Sequence, residues 1–346
     1  MNARVLGARD GDRPGCGSAA ATSRATWLAL LLIFSAGRAS AGDPLPDTRP
    51  AAPATTAASP VRPTAHVSSS DRPYGQASNA WDEDLPRKRQ LELDGEVAAG
   101  EHVVLWFPKG AFAPEDATKL LAELQRGIAA AKTMVARPDW TYQGDRRVYY
   151  YLPDAQFVSH APGGNCAFIP LWRMKERKAP WLHESLHLLL KSGKGDWLAG
   201  DDKRAEERMP LWLHEGLADA LAIDISRVED LAYYSPLLDV PAEQLDSLAA
   251  RTLRDAPSPE VLAAIGTRGK PQGLFGPERV KFAIPFYAGS ASFVRFIVKR
   301  HGYAPLLAAI DDFDRENETL EREAGEALAA MKAAWLEQIM ERGTVR

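Results

Sequence analysis

Cysteine is nearly absent from this chain, with only Cys16 and Cys166 among 346 residues. That excludes a small scaffold stapled by several disulfides and requires a domain held by its own core. An excess of positive charge is missing too: 42 Lys and Arg stand against 46 Asp and Glu, a net charge of −4. No basic stripe interleaved with aromatics is present, so nucleic acid is not an expected partner. Long apolar runs are also lacking. The run from Trp27 to Phe34 falls well short of the ~20 residues that span a bilayer, so no stable membrane anchor is expected. No cysteine follows that run in the position a lipid anchor would need.

What surrounds the short apolar run is more telling. Arg4, Arg9, Arg13 and Arg24 precede it, and Ala39-Ser40-Ala41 follows with small residues in the spacing of a signal-peptidase site. The expectation is a signal peptide over residues 1–41, cleaved after Ala41, and a secreted or periplasmic protein. Cleavage would remove Cys16 and leave Cys166 alone, a small apolar residue in a buried stretch. Residues 42–80 are dominated by Pro, Ala, Ser and Thr and bury too little apolar surface to fold, so they read as a disordered spacer.

The remaining residues, 81–346, read as one domain of the α+β class. Hydrophobic residues make up 45% of the chain and charged residues 25%, enough to build a core. Order is expected to start near Trp81, or at a strand over Gln90–Leu93. A strand-rich part of about 100–175 follows, with strands at His102–Phe107, Arg147–Leu152 and Ala167–Trp172 and a helix from Pro114 to about Val135. The part from 179 to 346 is helical, beginning with Ala179–Lys191 and, past a charged loop at Ser192–Arg208, a helix opened by Pro210. Residues 235–280 are only loosely patterned. Then come a helix over Pro285–Arg300 closed by Gly302, a short helix near 304–313 and a last helix from about Glu326. Leu328, Met331, Trp335 and Ile339 form a core-facing stripe on that last helix. A small mixed sheet followed by a helical centre and a helical end suits α+β better than a doubly wound sheet.

The chemistry is carried by His183-Glu184-Ser185-Leu186-His187. Histidines four apart project from one face of a helix, where two imidazoles can hold one metal ion and Glu184 can act on a bound water. Two histidines on a semi-buried helix would satisfy the same pattern without metal. A catalytic zinc ion needs a third protein ligand, and Glu215 supplies a candidate at the start of the next helix. Asp219, one turn on, can accept the free ring N–H of a ligating histidine. Both acids lie among Leu211, Trp212, Leu213, Leu217, Ala218 and Leu221, where an unpaired charge is costly. His214 points away from that face. His160 sits in a loop before Gly163-Gly164, where it could meet substrate.

The two segments, 183–187 and Trp212-Leu213-His214-Glu215-Gly216-Leu217-Ala218-Asp219, resemble the gluzincin, or thermolysin-like, metallopeptidases. They are most similar to bacterial peptidase MA-like domains, whose second motif commonly reads Trp-x-x-Glu-Gly-Leu-Ala. The likeness spans about residues 100–340 and includes Tyr287, Phe293, Val294, Gly302 and Trp335 near the carboxyl end. It implies a zincin-like catalytic domain with one Zn2+ held by His183, His187 and Glu215. Glu184 would be the general base, Asp219 would orient a ligating histidine, and Tyr287 would donate to the oxyanion. The implied substrate is a peptide or protein, laid along an edge strand in the place of Cys166–Trp172. The glycine-x-methionine-glutamate-asparagine segment of the aminopeptidase branch is absent, which favours an endopeptidase. The alternative is a catalytically degenerate module of the cell envelope that binds zinc or peptide without turnover.

Overall fold

Val103–Phe107, Val148–Tyr151 and Cys166–Phe168 are apolar on consecutive residues rather than on alternate ones, the mark of strands buried on both faces. A computed structural model describes residues 79–142, 144–190, 210–231, 244–255, 258–275, 279–312 and 315–342. All of them fall in one compact unit, Ala58–Arg346. The expected signal peptide, almost all of the spacer and the 192–208 loop lie outside the described residues.

Five strands form one mixed sheet: β1 (Glu96–Ala99), β2 (Val103–Phe107), β3 (Val148–Tyr151), β4 (His160–Gly163) and β5 (Cys166–Phe168), in the order β1-β2-β3-β5-β4. β2, β3 and β5 run parallel at its centre, with antiparallel β1 and β4 at the edges. A parallel pair needs a crossover, and helix α2 (Pro114–Met134) makes it between β2 and β3. Alternation then divides the side chains. Val103, Leu105, Phe107, Val148, Tyr150 and Ala167 join the main core. Val104, Trp106, Tyr149, Tyr151, Cys166 and Phe168 form a second cluster on the opposite face.

Helix α1 (Asn79–Asp94) contributes Leu91 to that second cluster, so Gln90–Leu93 is helical and not a strand. Its alternating polar and apolar residues imitate a strand, but Lys88 and Glu92 pair at 3.0 Å across one helical turn and Leu93 is 74% exposed. The expected strand over Ala167–Trp172 is likewise corrected. β5 ends at Phe168, and past Pro170 the chain turns into helix α3 (Leu171–Lys175). β5 is also interior, so the edge strand is β4, a segment read from sequence as loop. The hairpin joining β4 to β5 needs Gly164, whose φ is +61°.

The helical half comprises α4 (Trp181–Leu189), α5 (Leu211–Glu229), α6 (Leu245–Asp255), α7 (Ser258–Ala264), α8 (Arg279–His301), α9 (Ala304–Asp311), α10 (Glu316–Ala324) and α11 (Leu328–Arg342). α8 begins six residues ahead of the expected Pro285 start. Buried Phe282 and Ala283 hold the extra turn against the core, and that packing overrides the proline's missing N–H. α7 and α10 are short or heavily charged and were not read from sequence. α6 was missed although Leu245, Leu248, Ala249 and Leu253 recur at helical spacing and are buried. The stripe Leu328, Met331, Trp335 and Ile339 is buried as expected.

Candidate metal centre

α4 is buried nearly all round: of its nine residues only His187 keeps partial exposure. It packs against α2, α5, β4 and β5. α5 is buried along most of its length, including Trp212, Leu213, His214, Leu217 and Asp219. Where the two helices meet, His183 donates its Nδ1–H to Asp219 Oδ1 at 2.9 Å. That bond fixes the tautomer and leaves the Nε2 lone pair facing outward.

Three acceptor atoms converge on that lone pair's side. His183 Nε2 and His187 Nε2 stand 3.0 Å apart, with the rings nearly perpendicular at 88°. Glu215 Oε2 lies 3.3 Å from the first and 3.6 Å from the second. Donors around a tetrahedral ion bound at ~2.0–2.1 Å stand roughly 3.3–3.4 Å apart, so this triangle has the size a metal requires. His183, His187 and Glu215 could therefore hold a metal ion. Without a cation, protons must bring these groups together. Burial works against the His183 imidazolium, yet Asp219, with Glu215 and Glu184 behind it, holds its pKa well above the ordinary histidine value. Burial raises the Glu215 carboxyl, but His187 and then His183 outweigh it and keep it far below the ordinary carboxylate range. Glu184, beside His183 in the first turn of α4, is buried, and its charge is felt by His183, Tyr150 and His160.

Ser185, in the middle of the motif, was missed from sequence as a site residue. Its Oγ donates to Trp181 O at 2.6 Å and also meets Tyr150 Oη from β3. Tyr150 lies edge-on to Trp181, with ring centroids 6.4 Å apart. This chain pins α4 to the sheet. The signal was available, because strand alternation puts Tyr150 alone of the three consecutive tyrosines on the main-core face. Ser185→Ala should strand the buried Tyr150 hydroxyl and cost about 1–3 kcal/mol in denaturant unfolding. The double variant with Tyr150→Phe removes both polar partners and should be less destabilised than Ser185→Ala; a larger loss would show that the hydrogen bond is not what matters. A second device, Arg137, donates to Leu189 O at 2.6 Å at the end of α4 and pairs with Asp311 of α9. No sequence pattern announces it.

α5 and α8 approach at Gly216, next to Glu215. A Cβ there would stand 2.6 Å from Ser290 O and 2.8 Å from Val294 Cγ2. Backbone cannot rotate away, so Gly216→Ala must push the helices apart. Alanine gains ~1 kcal/mol of helix propensity, whereas overpacking costs ~1–3 kcal/mol. A net loss of up to about 2 kcal/mol in urea unfolding is expected, with weaker metal retention because Glu215 shifts too. A stabilised variant would contradict the close approach.

The other sequence candidates are not among the three converging ligand residues. Tyr287, one turn before Ser290 on α8, is half-buried, edge-on to Phe286 at 5.7 Å, and packs between two apolar clusters. His160 belongs to β4, with its ring turned to Val158 O and Asp84. His214 is 4% exposed on α5. Cys166 is fully buried, and burial pushes its thiol up to about 12, which suits a packing residue. Comparison of the chain with models of known families, with curated proteins and with solved structures finds no match.

Proposed function

We propose that this protein is an exported, zinc-dependent endopeptidase, with a zincin-like catalytic domain of the gluzincin type closest to bacterial peptidase MA-like domains. The observation that carries the reading is the convergence of His183 Nε2, His187 Nε2 and Glu215 Oε2 within 3.0–3.6 Å, with the His183 ring anchored by Asp219. Two imidazoles and a carboxylate suit zinc, and three protein ligands leave a position open for water or substrate. When bound there, zinc supplies Lewis acidity and lowers the pKa of a water towards neutrality.

The chain's own residues account for the rest. Asp219 holds the His183 N–H and so keeps Nε2 free as a donor of its lone pair. Glu184 takes a proton at its carboxylate as water adds to the scissile carbonyl, and delivers it to the leaving nitrogen. Tyr287 is assigned the donor role towards the developing oxyanion, on the resemblance and on the packing of α8 against α5. β4, as the edge strand beside α4, is the place for an extended substrate backbone. It reads His-Ala-Pro-Gly and carries no carboxylate to hold a substrate amino terminus, which favours internal bonds.

The test is cleavage of a mixed peptide library by metal-replete protein. Cleavage should cease on chelation and return with zinc. Within the same assay Tyr287→Phe should lose about 10²-fold in kcat with unchanged metal content. No cleavage by protein that holds one zinc ion would move the chain to the degenerate, binding-only reading.

A further inference from the structure

Among the described side chains of helix α1, polar groups fasten it to the sheet more than apolar ones do. Leu91 is its buried apolar anchor and Leu85 is half-buried. On the opposite face α2 buries Ala117, Leu124, Ile128 and Ala131. Asp84 of α1 is fully buried, with Oδ2 2.5 Å from His160 Nε2 and Oδ1 accepting from Arg87 at 3.1 Å. Glu92 accepts from Tyr151 Oη at 2.8 Å and pairs with Lys88 at 3.0 Å. Beneath this layer lies Cys166, whose charged surroundings are Lys88, Glu92 and Asp84, all on α1.

His160 is the tie between α1 and β4. Its Nδ1 faces the Val158 carbonyl at 2.7 Å, which can only accept, so that nitrogen carries a proton. Its Nε2 faces the Asp84 carboxylate, which also pairs with the Arg87 guanidinium at 3.1 Å. Both nitrogens therefore meet acceptors, and the tie is complete only when the ring holds two protons. The charged groups around it are Asp84 and Arg87 from α1 and Glu184 from α4. Phe168 of β5 stacks on the ring and Phe157 meets it edge-on, each at 5.8 Å.

We propose that α1 is a strap latched to the edge strand by His160 and Asp84, and that loss of one proton from His160 releases it and uncovers the Cys166 face of the sheet. The release is local, because β2, β3 and β5 keep their ladder and their opposite face without α1. Burial lowers the proton affinity of His160, but Asp84, the Val158 carbonyl and Glu184 together raise it above the ordinary value of 6.5. The latch is accordingly at full strength below that ordinary value and weakens as pH rises through the raised one, with opening increasing by about tenfold per pH unit in between. It stands whether or not the chain is a peptidase.

The experiment is iodoacetamide labelling of the full, metal-replete chain between about pH 6 and about pH 9, read by mass spectrometry at the Cys166 peptide. Each rate is divided by that of the unfolded chain at the same pH, which removes thiolate ionisation. Protection should fall steeply across the window in the wild type. In His160→Gln it should be low at the acid end and independent of pH. Amide hydrogen exchange of the wild type gives a reading without any variant: α1 and β4 should lose protection with pH while β2 and β3 keep it, after correction for intrinsic rates. Equal Cys166 protection at both ends of the range, or simultaneous loss in α1, β2 and β3, would overturn the latch.

Discussion

Glu184→Gln is expected to keep its metal and lose hydrolysis. Glutamine preserves the volume of a side chain that is only 5% exposed, so the packing of α4 has no reason to change. The ligand atoms belong to His183, His187 and Glu215 and are untouched. What disappears is a carboxylate able to take a proton, and general-base catalysis is worth about 10²–10⁴-fold in rate. The measurement is kcat on a cleaved library peptide beside zinc content for both proteins. Equal rates would remove Glu184 from the mechanism. Loss of zinc along with activity would make it a structural residue of the site instead.

Metal removal should be felt as strongly in stability as in activity. One zinc ion per chain is expected from elemental analysis of protein purified without chelator. A ligand present at ~1,000 times its Kd stabilises by about 4 kcal/mol. For a domain of this size that corresponds to a fall of roughly 8–16 °C in unfolding temperature on chelation. His183→Ala should lose both the zinc and its stabilisation. Asp219→Asn should keep the three ligands and lower zinc affinity by about 10–100-fold, because the amide no longer receives the His183 N–H as a carboxylate does. An unfolding temperature indifferent to chelation, with zinc well below one per chain, would leave His183 and His187 as a hydrogen-bonded pair on a buried helix and remove the basis of the proposed function.

The sequence by itself determined the most strongly patterned local elements and the residue types that share a face along one element. Runs such as Val103–Phe107 and Val148–Tyr151 are strands because both of their faces are buried. His183 and His187 share a face because a helix repeats every 3.6 residues, and the stripe from Leu328 to Ile339 follows the same period. That Glu215 and Asp219 share one face of a helix was legible too, and acids amid apolar neighbours need partners. The tertiary structure decided what depends on contact between distant segments. The crossing of α4 and α5 alone brings Glu215 to 3.3 Å from His183 and Asp219 to 2.9 Å. The place of β4 at the sheet edge, the tie of Tyr150 to Ser185, and the burial of Asp84 against His160 arise the same way. α1 was read as a strand because Gln90–Leu93 alternates in polarity over only four residues, too few to establish a period, and only its packing on the sheet decided the matter. Periodicity is a property of neighbours in the chain, whereas a site is made by surfaces that meet only after folding.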